Sequence, residues 1–149
     1  MPWERKPATA QLEARVAMYV LVMGSGEIGA LVATSLWQEG HLVSVIDTLP
    51  ENLRQLPRGL QEAAILGDGV QEEDLRRAGV EVMDAFVAVS SEDTDNIFAA
   101  QMAMHVFQVG RVVCRIDDPA RCQLYSELGL DAVSGAESVS GLILRAVND

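Results

Sequence analysis

A chain of 149 residues holds one domain with a real core and has no room for a second full one. Its 22 acidic residues against 11 basic ones give a net charge of −11, which excludes phosphate backbones and anionic lipid as natural partners, so neither nucleic-acid binding nor direct membrane insertion is expected. The longest apolar run, residues 16–23, is far short of the roughly twenty residues a membrane span requires, and no secretory leader is visible, so a soluble, intracellular protein is expected.

Residues 1–15 contain two prolines, mixed charges and Trp3, and are predicted to form a loosely ordered extension ahead of a domain spanning residues 16–149. The extension also holds Lys6, the chain's one lysine, so no mechanism that needs a lysine in the core is open. From residue 16 onward, short apolar runs alternate with longer helical stretches. Strands are predicted at residues 18–23, 42–47, 63–66, 85–90, 112–116 and near 132–133. Helices are predicted at 27–39, 51–56, 72–78, 94–108, 120–128 and 137–147. The apolar runs lack the in-out alternation of a half-exposed sheet and suit strands covered on both faces. Strand–helix alternation then implies an α/β fold: a Rossmann-type doubly wound parallel sheet in a single domain. Gly40, Gly110 and Gly129 stand where left-handed helix caps are expected, and residues 91–94 offer capping side chains for the helix that follows.

The first strand runs directly into Gly24-Ser25-Gly26-Glu27-Ile28-Gly29, a G-x-G-x-x-G that opens the first helix. In that context each glycine has a purpose. Gly24 allows a tight turn, Gly26 lets backbone approach a pyrophosphate, and Gly29 lets helix and strand pack closely. The free N–H groups at the helix start would hold the phosphates. Asp47 ends the second strand, 21 residues after Gly26, where a carboxylate accepts from ribose hydroxyls and repels a 2′-phosphate. No arginine follows in Thr48-Leu49-Pro50-Glu51, which favours NAD, ATP or AMP over NADP. Gly67-Asp68-Gly69 follows the third strand, and Asp68 reads either as an acceptor for the adenine amino group or as a turn former. Ser90 and Ser91 end the fourth strand beside the same crevice. Arg115 ends the fifth, either as a phosphate-facing cation or in an ordinary salt bridge.

Catalytic machinery is not recognisable. There is no Tyr-x-x-x-Lys pair, and neither His41 nor His105 has a carboxylate at relay spacing. Cys114 and Cys122 have no histidine at ligand spacing, so no metal site is expected; a buried Cys114 and an ordinary helical Cys122 are. In the last helix Val139, Leu142, Ile143, Ala146 and Val147 form one apolar stripe, which either covers the chain's own sheet or forms a dimer seam.

Taken in order, Gly24 to Gly29, residues 39–47, Gly67-Asp68 with 73–79, residues 84–90, Asp95-Asn96, residues 115–119 and 128–131 resemble the TrkA-N family, also called RCK or KTN, over nearly the whole chain. The resemblance implies a non-enzymatic regulatory subunit of a membrane potassium transporter. It would be cytoplasmic, peripheral to the inner face of the membrane, paired as a homodimer or higher ring, and responsive to NAD(H), ATP, ADP or AMP. Carried onto this chain, the implied binding residues are Gly24, Ser25, Gly26, Glu27, Ile28, Gly29, Asp47, Thr48, Gly67, Asp68, Gly69, Ser90 and Arg115. Two features depart from the pattern. Glu27 stands where many relatives place a basic residue toward a terminal phosphate, and Gly135-Ala136 replace the usual Pro-Glu. The C-terminal half-domain common in the family is not in this sequence, which is read as a stand-alone half or a fragment. The alternatives are a small NAD-dependent oxidoreductase, disfavoured by the missing machinery, and a regulatory domain of a cation–proton antiporter.

Overall fold

The computed structural model describes residues 16–149; the predicted extension, with Trp3 and Lys6, lies outside the described residues. Among the described residues there are six strands: β1 (Tyr19–Met23), β2 (Leu42–Asp47), β3 (Ala64–Leu66), β4 (Ala85–Ala88), β5 (Arg111–Arg115) and β6 (Asp131–Val133). Every pairing is parallel, in the order β3-β2-β1-β4-β5-β6, so the chain reverses its direction of travel across the sheet between β1 and β4. That order is the Rossmann doubly wound arrangement, and its switch point is where such sheets open a crevice beyond the carboxyl ends of the strands.

The helices are α1 (Glu27–Gln38), α2 (Pro50–Arg54), α3 (Arg58–Gln61), α4 (Glu72–Arg77), α5 (Asp93–His105), α6 (Pro119–Glu127) and α7 (Gly135–Asn148), with a 3₁₀ turn at Val80–Val82. Successive strand residues face opposite sides, so β1 feeds two cores at once. Val20 and Val22 pack with Ala33, Val45, Leu56 and Leu60 on one face of the sheet. Leu21 and Met23 pack with Phe86, Leu75, Ala99 and Cys114 on the other. All-round burial explains why these strands read as unbroken apolar runs.

Several predicted boundaries shift, for identifiable reasons. The helix expected over 51–56 runs Pro50–Arg54, and a short helix not expected from the sequence, α3, follows at Arg58–Gln61 with Pro57, which cannot continue α2, as its N-cap. The helix expected to reach residue 108 ends at His105. Its reversal is made by Gln108, at φ 54°, with the Val109 N–H donating to the Ala103 carbonyl, and not by Gly110 as predicted. Gly40 and Gly129 do take the predicted left-handed conformation. The start of α5 carries no side-chain cap from its N-cap residue Glu92, contrary to the capping expected there. Asp93 instead spends its carboxylate on the Asp117 and Asp118 N–H groups, pinning the loop after β5.

Candidate functional site

The turn after β1 depends on two glycines. Gly24 adopts φ 101°, and a Cβ there would stand 2.7 Å from the Ser90 nitrogen. A Cβ on Gly29 would collide with the Gly24 carbonyl, so helix α1 can approach β1 this closely only with glycine at that place. Gly26 is different: a Cβ on it would meet nothing within 4 Å, and its backbone faces open space.

That open space is a cavity of about 340 Å³ over the ends of β1 and β4. Gly24, Gly26, Glu27, Ile28, Asp47, Thr48, Ser90 and Arg115 line it, together with Ser91. A smaller cavity of about 80 Å³ is lined by Gly67, Asp68 and Gly69 and shares Gly24, Asp47, Thr48, Ser90 and Asp95 with the larger one. The two therefore form one crevice. Ser25 and Gly29 line neither cavity.

Ser25 is fully buried behind the turn, where it anchors the Asp47 carboxylate. Asp47 Oδ2 accepts from the Ser25 N–H (2.8 Å) and hydroxyl (3.2 Å), and Oδ1 accepts from the Leu49 N–H (2.8 Å). The Asn52 amide donates to both oxygens, at 3.3 and 3.2 Å. Asp47 thus ties the glycine turn to α2 while lining the crevice. Asp68 also behaves as a turn former, its Oδ1 accepting from the Val70 N–H, while it lines the smaller cavity. Asp74 holds the same loop by accepting from the Asp68 N–H, and that bond, with Arg77, keeps its carboxyl below the usual range.

On the opposite wall, Arg115 joins both of its anticipated readings: it lines the cavity and is gripped by Asp117. Arg115 Nε donates to Asp117 Oδ1 at 3.0 Å and Nη2 to Oδ2 at 2.7 Å. The guanidinium holds the Asp117 carboxyl below its ordinary value, and the carboxylate raises that of Arg115. Asp117 Oδ1 also accepts from the Gly135 N–H, and the Asp117 carbonyl accepts from the Ser134 hydroxyl. Ser134 then caps α7 by accepting from the Glu137 N–H. The crevice wall is thereby linked to the start of the last helix.

Sequence reading missed Leu49, Asn52, Val89, Glu92 and Asp95 among the lining residues, and Asn96 as the buried support of the β4 end. Their spacing is ordinary for helix starts, and only the strand register brings them to the crevice. His41 is buried and accepts from the Met18 N–H, and burial pushes the Cys114 thiol up to about 12, out of range for a nucleophile at neutral pH. Among the described residues no cluster could hold a metal ion, and no helix is long and apolar enough to cross a membrane.

The TrkA-N domain family matches residues 20–135. The Trk system potassium uptake protein TrkA of Streptomyces coelicolor is 39% identical over 128 residues, 86% of this chain and 57% of that protein. A TrkA homolog from Pyrococcus abyssi is 34% identical over 111 residues, 74% of this chain and 49% of that one. The chain therefore spans about half the length of these relatives. Among solved structures, the TrkA-N domain of the Escherichia coli inner membrane protein ybaL superposes with a TM-score of 0.75 at 20% identity, covering 88% of this chain and 97% of that one. The Kef C-terminal domain of Shewanella denitrificans in its AMP-bound form gives 0.74 at 20%, covering 87% and 80%. The GsuK channel bound to NAD gives 0.73 at 22%, covering 87% and 23%. Sheet order, glycine turn and sequence match agree, and the chain belongs to the TrkA-N domain family.

Proposed function

We propose that this domain is a non-enzymatic sensor that binds NAD(H) or an adenine nucleotide (AMP, ADP or ATP) and transmits its occupancy to a membrane potassium transporter from the cytoplasmic side. The observation that carries the reading is the crevice at the switch point, floored by Gly26 with open space where a side chain would stand. A pyrophosphate or monophosphate fits there against the backbone of the turn and the first N–H groups of α1. Ribose hydroxyls would bind Asp47 in place of its weaker donors, the Ser25 hydroxyl and the Asn52 amide. The AMP- and NAD-bound forms of the structural neighbours, and the potassium uptake role named for the sequence relatives, support the same reading.

Asp47 also argues for exclusion of NADP(H). A 2′-phosphate beside a carboxylate costs on the order of 1–2 kcal/mol at partial burial, or roughly tenfold in affinity. Mass spectrometry of ligand co-purifying with the protein, followed by titration calorimetry with AMP, NAD and NADP, tests the proposal. Micromolar AMP or NAD binding with NADP at least tenfold weaker supports it. No binding of any adenine nucleotide overturns it, and equal NADP affinity overturns the role of Asp47.

A further inference from the structure

The crevice carries an excess of negative charge that a general phosphate site would not have. Glu27 is the first residue of α1, Glu92 precedes α5 and Asp95 lies in its first turn, and all three line the larger cavity with Gly26. Among the described residues, none of the three carboxylates takes part in a hydrogen bond or ion pair; Glu92 contacts Ser90 only through its backbone. Among the described residues Arg115 is the one cation lining either cavity, and two of its donors are committed to Asp117. Glu27 further offsets the positive end of α1, which would otherwise supply much of the attraction for phosphate.

A nucleoside monophosphate brings a charge of about −2 and a free triphosphate about −4, whereas the two phosphates of NAD are esterified on both sides and carry less. Each added charge must then face three carboxylates that are unpaired among the described residues, with one shared guanidinium beside the backbone N–H groups of the turn as compensation. At separations of a few ångströms beside a partly hydrated wall, one such repulsion is worth roughly tenfold in affinity.

We propose that the crevice selects among adenine nucleotides by phosphate charge, admitting a monophosphate or a dinucleotide and rejecting a free triphosphate, with Glu27, Glu92 and Asp95 as the residues that set the preference. The proposal rests on the nucleotide reading above and narrows it to a ligand class. Divalent cations complexed to the triphosphate offset its charge, so discrimination is strongest for the metal-free form.

Titration calorimetry of the whole chain with AMP, NAD, ADP and ATP, in chelator at low and high salt, tests it. At low salt AMP and NAD should bind at least tenfold more tightly than ATP, with ADP between AMP and ATP. High salt should narrow the gap, because it screens charge and leaves shape unchanged. The variant E27Q/E92Q/D95N should bring ATP to within about threefold of AMP, with circular dichroism unchanged, since among the described residues none of the three side chains makes a hydrogen bond or ion pair that holds the fold. Glu27→Arg should favour ATP further. ATP binding as tightly as AMP to the unaltered protein would overturn the charge preference while leaving the nucleotide reading intact. A gap unmoved by both salt and neutralisation would assign the preference to shape and also overturn it. Failure of every nucleotide to bind would overturn both.

Discussion

Asn96 and Ser90 are joined by three hydrogen bonds behind the wall of the crevice. Asn96 Oδ1 accepts from the Ser90 N–H at 2.9 Å and from its hydroxyl at 2.8 Å, and Asn96 Nδ2 donates to the Ser90 carbonyl at 2.9 Å. The second amide proton reaches the Arg115 carbonyl at 3.0 Å, so one fully buried side chain ties the ends of β4 and β5 to α5. The geometry of the crevice wall at Ser90 and Arg115 depends on this residue, although Asn96 lines neither cavity.

Asn96→Ala should therefore damage both stability and binding. It strands the Ser90 N–H and two carbonyl groups, and a set of buried groups left without partners costs about 2–4 kcal/mol. Urea unfolding should show the lower stability, and calorimetry on the remaining folded protein should show weakened nucleotide binding. Asn96→Asp should not rescue it, because a carboxylate cannot donate to the two carbonyls and would bury a charge beside them.

Within the glycine turn, two substitutions should have opposite consequences. Gly26→Val places its side chain in open space, so it should leave a folded sheet by circular dichroism and abolish nucleotide binding. Gly29→Ala should do the reverse kind of damage. Its Cβ meets the Gly24 carbonyl, a backbone atom that cannot swing aside, so stability should fall by about 1–3 kcal/mol in thermal or urea unfolding. Normal binding by a well-folded Gly26→Val protein would place the phosphate site elsewhere.

The Arg115–Asp117 pair gives a pH signature. The Asp117 carboxyl is lowered in the folded state, first by its hydrogen bond from Arg115, so the unfolded chain holds this proton more tightly. The stability it contributes is then fully present above the unfolded value of about 3.9 and is lost as pH falls through the lower folded value. Asp117→Asn should be less stable than the parent at neutral pH by a constant small amount, with the two curves converging below about pH 4. Solvent exposure of the pair keeps the difference modest. A difference that persists unchanged into strong acid would mean that the ionised pair is not its source.

Much of the fold was legible because two-sided burial leaves a local mark. The run from Tyr19 to Met23 is apolar at every position after the first residue because β1 lies between two covered faces, and G-x-G-x-x-G after such a run points to one known turn. What stayed hidden was set by register. Asp93 reaches the Asp117 N–H across 24 residues, and Asn52 reaches Asp47 only because Pro50 starts a helix directly after β2. The helix stop at His105 was missed because Gln108, not a glycine, takes the left-handed turn. That Arg115 pairs with Asp117 while lining the crevice was likewise invisible, since spacing does not show which groups a side chain meets.

The last helix should be a dimer seam. Its stripe of Val139, Leu142, Ile143, Ala146 and Val147 could have covered the chain's own sheet, but α7 contains no buried residue. Leu142 is 60% exposed, Ile143 58% and Val147 76%. An apolar face this continuous on an exposed helix favours association, and burying the rest of each large side chain against a second copy gains on the order of 1 kcal/mol or more apiece. Light scattering at tens of micromolar should give about twice the 16.1 kDa chain mass. The paired substitution Leu142→Glu with Ile143→Glu should give a folded monomer, since neither side chain supports the domain's core. A clean monomer for the unaltered chain would defeat the assignment for residues 1–149. A dimer that survives both charges would place the seam on another face. Because α7 begins where Ser134 and Gly135 bond Asp117, nucleotide that draws on Arg115 should also shift the dimer equilibrium, and the same light-scattering measurement with and without AMP reads that coupling.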